Sequence, residues 1–251
     1  LQRFHVSGIA AQGYYAIGDI RLRMGDLPAA EDAFRLAHEL GAIPEPGLAL
    51  IRLAQGDPIA AAASLRRALA NETGRSSRAR LLPVEVTLAL AVGDRERARA
   101  ASTELDALAT AFGTAAMDAS AGTARASLQL ADGDAAAAER TASAAVRRWL
   151  ELGMPYDAAQ ARLVLAAALR AQGDDGAARL ELQSSRSTFE RLGARLDIRR
   201  TNELLGEPAG TSAGEPATDL VTRTFLFTDI VRSTKLVDAI GDDAWQGLIR
   251  W

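Results

Sequence analysis

Five of the chain's seven Gly-Asp pairs recur at long, similar intervals: Gly25-Asp26, Gly56-Asp57, Gly93-Asp94, Gly133-Asp134 and Gly173-Asp174. They lie 31, 37, 40 and 40 residues apart. Five residues after each glycine stands an alanine: Ala30, Ala61, Ala98, Ala138 and Ala178. The last three units also end alike, at Phe112-Gly113, Leu152-Gly153 and Leu192-Gly193, each twenty residues after its Gly-Asp glycine. Glycine closes a helix by taking a left-handed conformation at little steric cost. Aspartate then opens the next helix by accepting from its free N–H groups. Pro58, directly after Asp57, suits a first helical position. The small alanine lets two helices approach closely. A period of this size predicts stacked helical hairpins, with turns at the five pairs.

Each unit carries apolar residues at helical spacing. Leu163, Ala166, Ala167 and Arg170 are read against Leu180, Leu182 and Phe189 as one hairpin's facing stripes. Neither half of a hairpin buries its face alone, so neighbours must stack, and the expected result is a right-handed curved solenoid with a concave face. The basic cluster Arg75, Arg78 and Arg80 reads as a solvated loop.

Composition narrows the class. At 251 residues, 48% hydrophobic and 24% charged, the chain is read as globular and soluble, with one large or two modest domains. A net charge of −3 gives no support to nucleic-acid binding. With no cysteine, disulfides and thiolate zinc sites are excluded. No apolar run approaches a bilayer-spanning length, so no membrane role and a cytoplasmic location are expected. The first residue is Leu1 and not methionine, so the native N-terminus is expected further upstream.

In the first unit Ile17-Gly18, then Gly25, Ala30, Phe34 and Ala37, follow a known pattern at its spacing. On these residues the stretch resembles the tetratricopeptide repeat, with Arg21 where an aromatic is usual. Later units keep the Gly and Ala over a longer period. The region from about Gln12 to Leu205 therefore resembles divergent tetratricopeptide repeats of bacterial signalling and regulatory proteins. It is assigned to residues 1–205. Residues 206–221, rich in Gly, Pro, Ser and Thr, read as a flexible linker.

After the linker the composition turns β-branched and aromatic. Val221 to Ile230 reads as a strand, with Phe225, Phe227 and Asp229 on one face and Leu226, Thr228 and Ile230 on the other. Two apolar faces suit a strand buried between layers. A carboxylate at the end of such a strand is costly unless paired or metal-bound. Ser233 or Thr234 then starts a helix whose N–H groups face any anion. A hard divalent ion on Asp229 and a phosphate on the turn satisfy both. A structural turn aspartate is the plainer alternative. Haloacid-dehalogenase and metal-adhesion motifs would need Asp or Ser where Val231 stands.

The stretch Phe225-Leu226-Phe227-Thr228-Asp229-Ile230-Val231-Arg232-Ser233-Thr234 closely resembles the opening of the class III adenylyl/guanylyl cyclase catalytic domain. The resemblance covers residues 222–251 and implies the first strand and helix of a truncated α+β, ferredoxin-like domain. It implies that Asp229 binds two magnesium or manganese ions. It further implies that the Ile230 carbonyl ligates one of them and that Ser233 and Thr234 lie at the phosphates of ATP or GTP. Arg232 stands where the family often has Gly. Asp242 and Asp243 fit a helix-start cap better than a second metal pair.

The family's second metal aspartate and its purine-selecting and transition-state residues would come later in sequence. The chain is therefore expected to be an inactive fragment of a cyclase that makes cyclic AMP ahead of cyclic GMP. Homodimerisation through the complete domain is implied, with a protein partner or ligand on the repeats. The rival is a non-catalytic interaction protein or transcriptional regulator with a degenerate cyclase domain.

Overall fold

A computed structural model describes residues 2–206, all within one compact unit. They form eleven helices and, among the described residues, no strand. The order is α1 (Gln2–Arg23), α2 (Leu27–Glu39), α3 (Gly47–Ala54), α4 (Pro58–Asn71), α5 (Arg75–Ala91) and α6 (Arg95–Phe112), followed by α7 (Ala115–Ala131), α8 (Ala135–Glu151), α9 (Pro155–Ala171), α10 (Asp175–Leu192) and α11 (Arg195–Leu205). Each helix packs antiparallel on the next, giving five sequential hairpins closed by α11.

The five spaced Gly-Asp pairs each lie at the turn inside a hairpin, where the chemistry is shared between two helices, whereas Gly18-Asp19 falls within α1. At the fourth, Gly133 has φ +89° and donates to the Leu130 carbonyl at 3.1 Å. The Asp134 N–H donates to the Gln129 carbonyl at 2.9 Å, closing α7. The Asp134 carboxylate accepts from the Ala137 N–H at 2.9 Å, opening α8. One aspartate thus ends one helix with its backbone and begins the next with its side chain. The paired alanines Ala30, Ala61, Ala98, Ala138 and Ala178 are all fully buried, at 0% exposure. They mark where each second helix crosses its partner. No helix runs through Gly133 or Gly173, as the spacing requires.

The core is a run of adjoining clusters and has no single centre. One joins α3–α7 around Leu65, Leu82 and Leu105. A second joins α7–α9 around Trp149, and a third joins α9–α11 around Leu182 and Phe189. The first hairpin packs around Phe34, which contacts Tyr15 with ring centroids 5.0 Å apart. Gly18 and Gly47 both lie against that ring: a Cβ on Gly47 would come 2.3 Å from Phe34 Cζ.

Two expectations are corrected. Arg75, Arg78 and Arg80 lie on α5 and not in a loop. Arg78 donates to Glu104 at 2.7 Å and to the Leu69 and Glu72 carbonyls, all at the joint between α4 and α6. A guanidinium's several fixed donors suit a joint with unpaired carbonyls, which a charge count does not reveal. In the α9–α10 hairpin, Leu163, Ala166, Leu182 and Phe189 share a core cluster as expected, but Ala167 and Leu180 are exposed. The stripe on α10 follows Ala178, Leu182, Ser185 and Phe189, which leaves Leu180 on the opposite side.

Among the described residues, the first helix also meets the last. Leu196 of α11 packs with Leu22, Ala30 and Phe34 of the first hairpin, and α1 contacts α11 directly.

Candidate functional site

The sequence-predicted site residues Asp229, Ile230, Ser233 and Thr234 lie outside the described residues, as do the linker and the strand and helix expected around them. Among the described residues, no group of three or more His, Asp or Glu is placed to hold a metal ion. No described helix is long and apolar enough to cross a membrane.

Three polar constellations stand out in the helical unit. The first lies where α1, α9 and α11 meet. The Tyr156 hydroxyl donates to Asp197 Oδ2 at 3.0 Å and accepts from Gln160 Nε2 at 3.1 Å. Gln160 also donates to Asp197 Oδ1 at 2.7 Å. Arg23 lies over the Tyr156 ring, 3.8 Å from its centroid, and pairs with Asp19 at 2.6 Å. Burial, reinforced by the Asp197 carboxylate, pushes the Tyr156 phenol far above its ordinary value. It therefore stays a hydrogen-bond donor and offers no nucleophile or base near neutrality. Burial also raises the neighbouring Asp157 carboxyl, against the pull of Arg23. Donors and acceptors match, so this constellation fastens helices together.

The second is the Glu85–Arg97 pair between α5 and α6. Glu85 is 2% exposed and takes an ion-pair hydrogen bond from Arg97 on Oε1. Its Oε2 is buried without a partner.

The third surrounds residues 40–46, between α2 and α3. Here a seven-residue connection leads into a helix of only eight residues, where the other hairpins open with helices of 17 or 22. Pro44 and Pro46 delay the helix start. Glu45 between them is buried, accepts from the Ser64 hydroxyl and lies 3.8 Å from Arg52. Arg80 crosses from α5 to donate to the Glu45 carbonyl at 3.2 Å, with its guanidinium 4.5 Å from the Tyr15 ring centroid. Burial pushes the Tyr15 phenol up to about 12, with Arg80 opposing. A cavity of about 510 Å³ is lined by this loop, the end of α2 and residues of α4.

Composition and motif reading missed Glu45, Tyr156, Gln160 and Asp197. One signal was present for the first: the 31-residue gap, the shortest of the four, brackets Pro44-Glu45-Pro46. Tyr156 and Gln160 are four apart on one helix, but their link to Asp197 crosses from α9 to α11. No family model matches the sequence, and no curated protein is significantly similar to it.

Proposed function

We propose that the chain is part of a class III nucleotidyl cyclase, in which a tetratricopeptide-like helical array serves as sensor or scaffold and residues 222–251 open the catalytic domain. The single observation that carries this reading is the stretch Phe225 to Thr234, with its lone carboxylate, Asp229, between an apolar run and a hydroxyl-bearing turn. Asp229 and the Ile230 carbonyl would hold magnesium or manganese, and Ser233 and Thr234 would take the phosphate end of ATP or GTP. Bound metal supplies charge neutralisation and activation of the ribose hydroxyl. Asp229 supplies the fixed negative charge that keeps metal there. A homodimer through the complete domain, and a cytoplasmic location, belong to the same reading.

The test is Asp229→Asn in the protein carrying the complete catalytic domain. Cyclic nucleotide formation is expected to fall by more than tenfold, over about 1.4 kcal/mol in barrier, with folding unchanged by circular dichroism. An Asp229→Asn protein within tenfold of wild type makes the aspartate structural. Residues 1–251 alone are expected to produce no cyclic nucleotide from ATP and manganese.

A second reading is a non-catalytic interaction protein or transcriptional regulator with a degenerate cyclase domain. Both readings accommodate the polar groups at the junction of α1, α9 and α11 as ties between helices, and they part only over whether residues 222–251 open a working catalytic domain. Under the second reading Asp229→Asn leaves every partner interaction of the helical unit intact.

A further inference from the structure

The cavity beside Glu45 lies at the hairpin whose first helix is the shortest, in the 31-residue interval of the array. Its walls come from the end of α2, the loop 41–45 and one face of α4. It measures about 510 Å³ and is broadly open to solvent.

The site is held in place before any ligand arrives. The Gly41 and Ala42 N–H groups close α2 onto the His38 and Ala37 carbonyls at 2.8 and 2.9 Å. Arg80 holds the Ile43 and Glu45 carbonyls from behind. Ser64 and Arg52 hold the Glu45 carboxylate, and both contacts fall on Oε1. Oε2 is therefore the acceptor left for something else. His38 Nδ1 lies 3.2 Å from the Ala42 carbonyl, which can only accept, so this nitrogen carries a proton and the ring is fixed in orientation.

Charge is arranged across the cavity. Glu45 supplies an anion at Ser64. Arg67, three residues further along α4, supplies an exposed cation with no ion-pair partner among the described residues. Three residues of helix separate the two by about 4.5 Å along its axis. Between and around them Ala42, Ile43, Pro44 and Ala68 give apolar walls. Glu45 Oε2 can accept from an ammonium beside the Arg52 ion pair, and the Arg67 guanidinium fork suits a carboxylate. We infer that this cavity binds a small zwitterion, an α-amino acid or dipeptide with an apolar side chain, its ammonium on Glu45 and its carboxylate toward Arg67. The inference is independent of the cyclase reading, since no residue after Asn71 lines the site.

Isothermal titration of the purified chain tests it. The probes are the twenty amino acids, dileucine, leucine methyl ester and N-acetyl-leucine. At least one free amino acid or dileucine is expected to bind, with blocking of either end weakening binding by about tenfold or more. Arg67→Ala, at an exposed position, is expected to keep the wild-type melting temperature and to weaken binding by about tenfold. Glu45→Gln should abolish binding. If that variant fails to fold, Arg67→Ala with the two blocked probes still decides. No heat with any probe at millimolar concentration overturns the proposal. So does undiminished binding to Arg67→Ala, which puts the site elsewhere, or equal binding of the methyl ester, which removes the need for a carboxylate.

Discussion

The hairpin α3–α4 and the hairpins α5–α10 are built by different means. The latter repeat a unit with helices of 17 or 18 residues, joined inside each hairpin by a Gly-Asp turn and crossing at a buried alanine. Their register follows from local chemistry. In α3–α4 the same turn and alanine persist at Gly56-Asp57 and Ala61, but the approach to α3 is set by tertiary polar ties. Each region also buries a glutamate. Glu85 sits in a dry helix–helix joint, whereas Glu45 opens onto a cavity. The cavity beside Glu45 lies where the array departs from its regular unit.

Removing the arginine partner of each glutamate should separate the regions most sharply. Arg97→Ala strands Glu85 with neither oxygen satisfied. The expected cost is about 3 kcal/mol, the low end for breaking a buried pair because Arg97 is itself partly exposed. Arg52→Ala leaves Glu45 with Ser64 and access to cavity water, so about 1 kcal/mol is expected. Urea unfolding of both variants measures this, and equal costs would erase the distinction between dry and open carboxylates.

Glycine substitutions come next. Gly47→Ala drives a methyl into the fully buried Phe34 ring, for an expected loss of about 1–3 kcal/mol. In the regular region Gly122 is a helical residue whose added Cβ meets only Ala145 at 3.6 Å. Gly122→Ala should therefore stabilise, by up to about 1 kcal/mol. Thermal melts of the pair should move in opposite directions.

Capping offers a smaller contrast within the regular region itself. Asp134→Ala should cost about 1 kcal/mol by freeing the Ala137 N–H. Met154 starts α9 from nearly the same backbone conformation, φ −104° and ψ 77° against −89° and 72°, but lends no side-chain acceptor. Met154→Asp should gain roughly what Asp134→Ala loses, about 0.5–1 kcal/mol by denaturant unfolding. A destabilised Met154→Asp would mean that the turns between hairpins are not interchangeable with those inside them.

The least effect is expected from pH, and it has opposite signs at two carboxylates. Burial raises Asp157 in the folded state, so the stability it contributes is full below its unfolded value of about 3.9 and is lost as pH rises through the raised folded value. The Arg78 hydrogen bond lowers Glu104, so its contribution is present above about 4.3 and is lost as pH falls through the lowered folded value. Asp157→Asn should flatten the loss on the alkaline side, and Glu104→Gln the loss on the acid side, in urea midpoints taken from pH 3 to 7. A shift of the same sign in both would contradict the assignment.

Most of this fold was legible because its turns are local. A glycine at positive φ and an aspartate at an N-cap act within five residues of themselves, so Gly133 and Asp134 announce themselves in sequence. Arg78 and Arg80 do not, because their partners lie 6 to 37 residues away in sequence. The same holds for Asp197, whose carboxylate is satisfied from α9. Leu180 shows the limit of apolar spacing: in an alanine-rich helix two stripes are available, and contact with Ala159 and Leu163 selects the one through Leu182 and Phe189. The cavity was illegible as a site, since it depends on how far α3 is shortened. The cyclase-like residues Asp229, Ile230, Ser233 and Thr234 remain a reading of sequence alone.

The contact of α1 with α11 changes how this array comes apart. In an open stack of repeats, each end unit has one neighbour, so melting starts there and runs inward like fraying rope. Here Leu196 sits in the first hairpin's core and Arg23 lies on the Tyr156 ring, so each end unit has neighbours on two sides. Detaching either end breaks two interfaces at once. Amide exchange in α1 and α11 should then be as slow as in the interior, and a cut in any one of the turns between hairpins should leave the pieces associated. A helical unit whose first and last described helices are both tied down has no preferred place to begin unfolding.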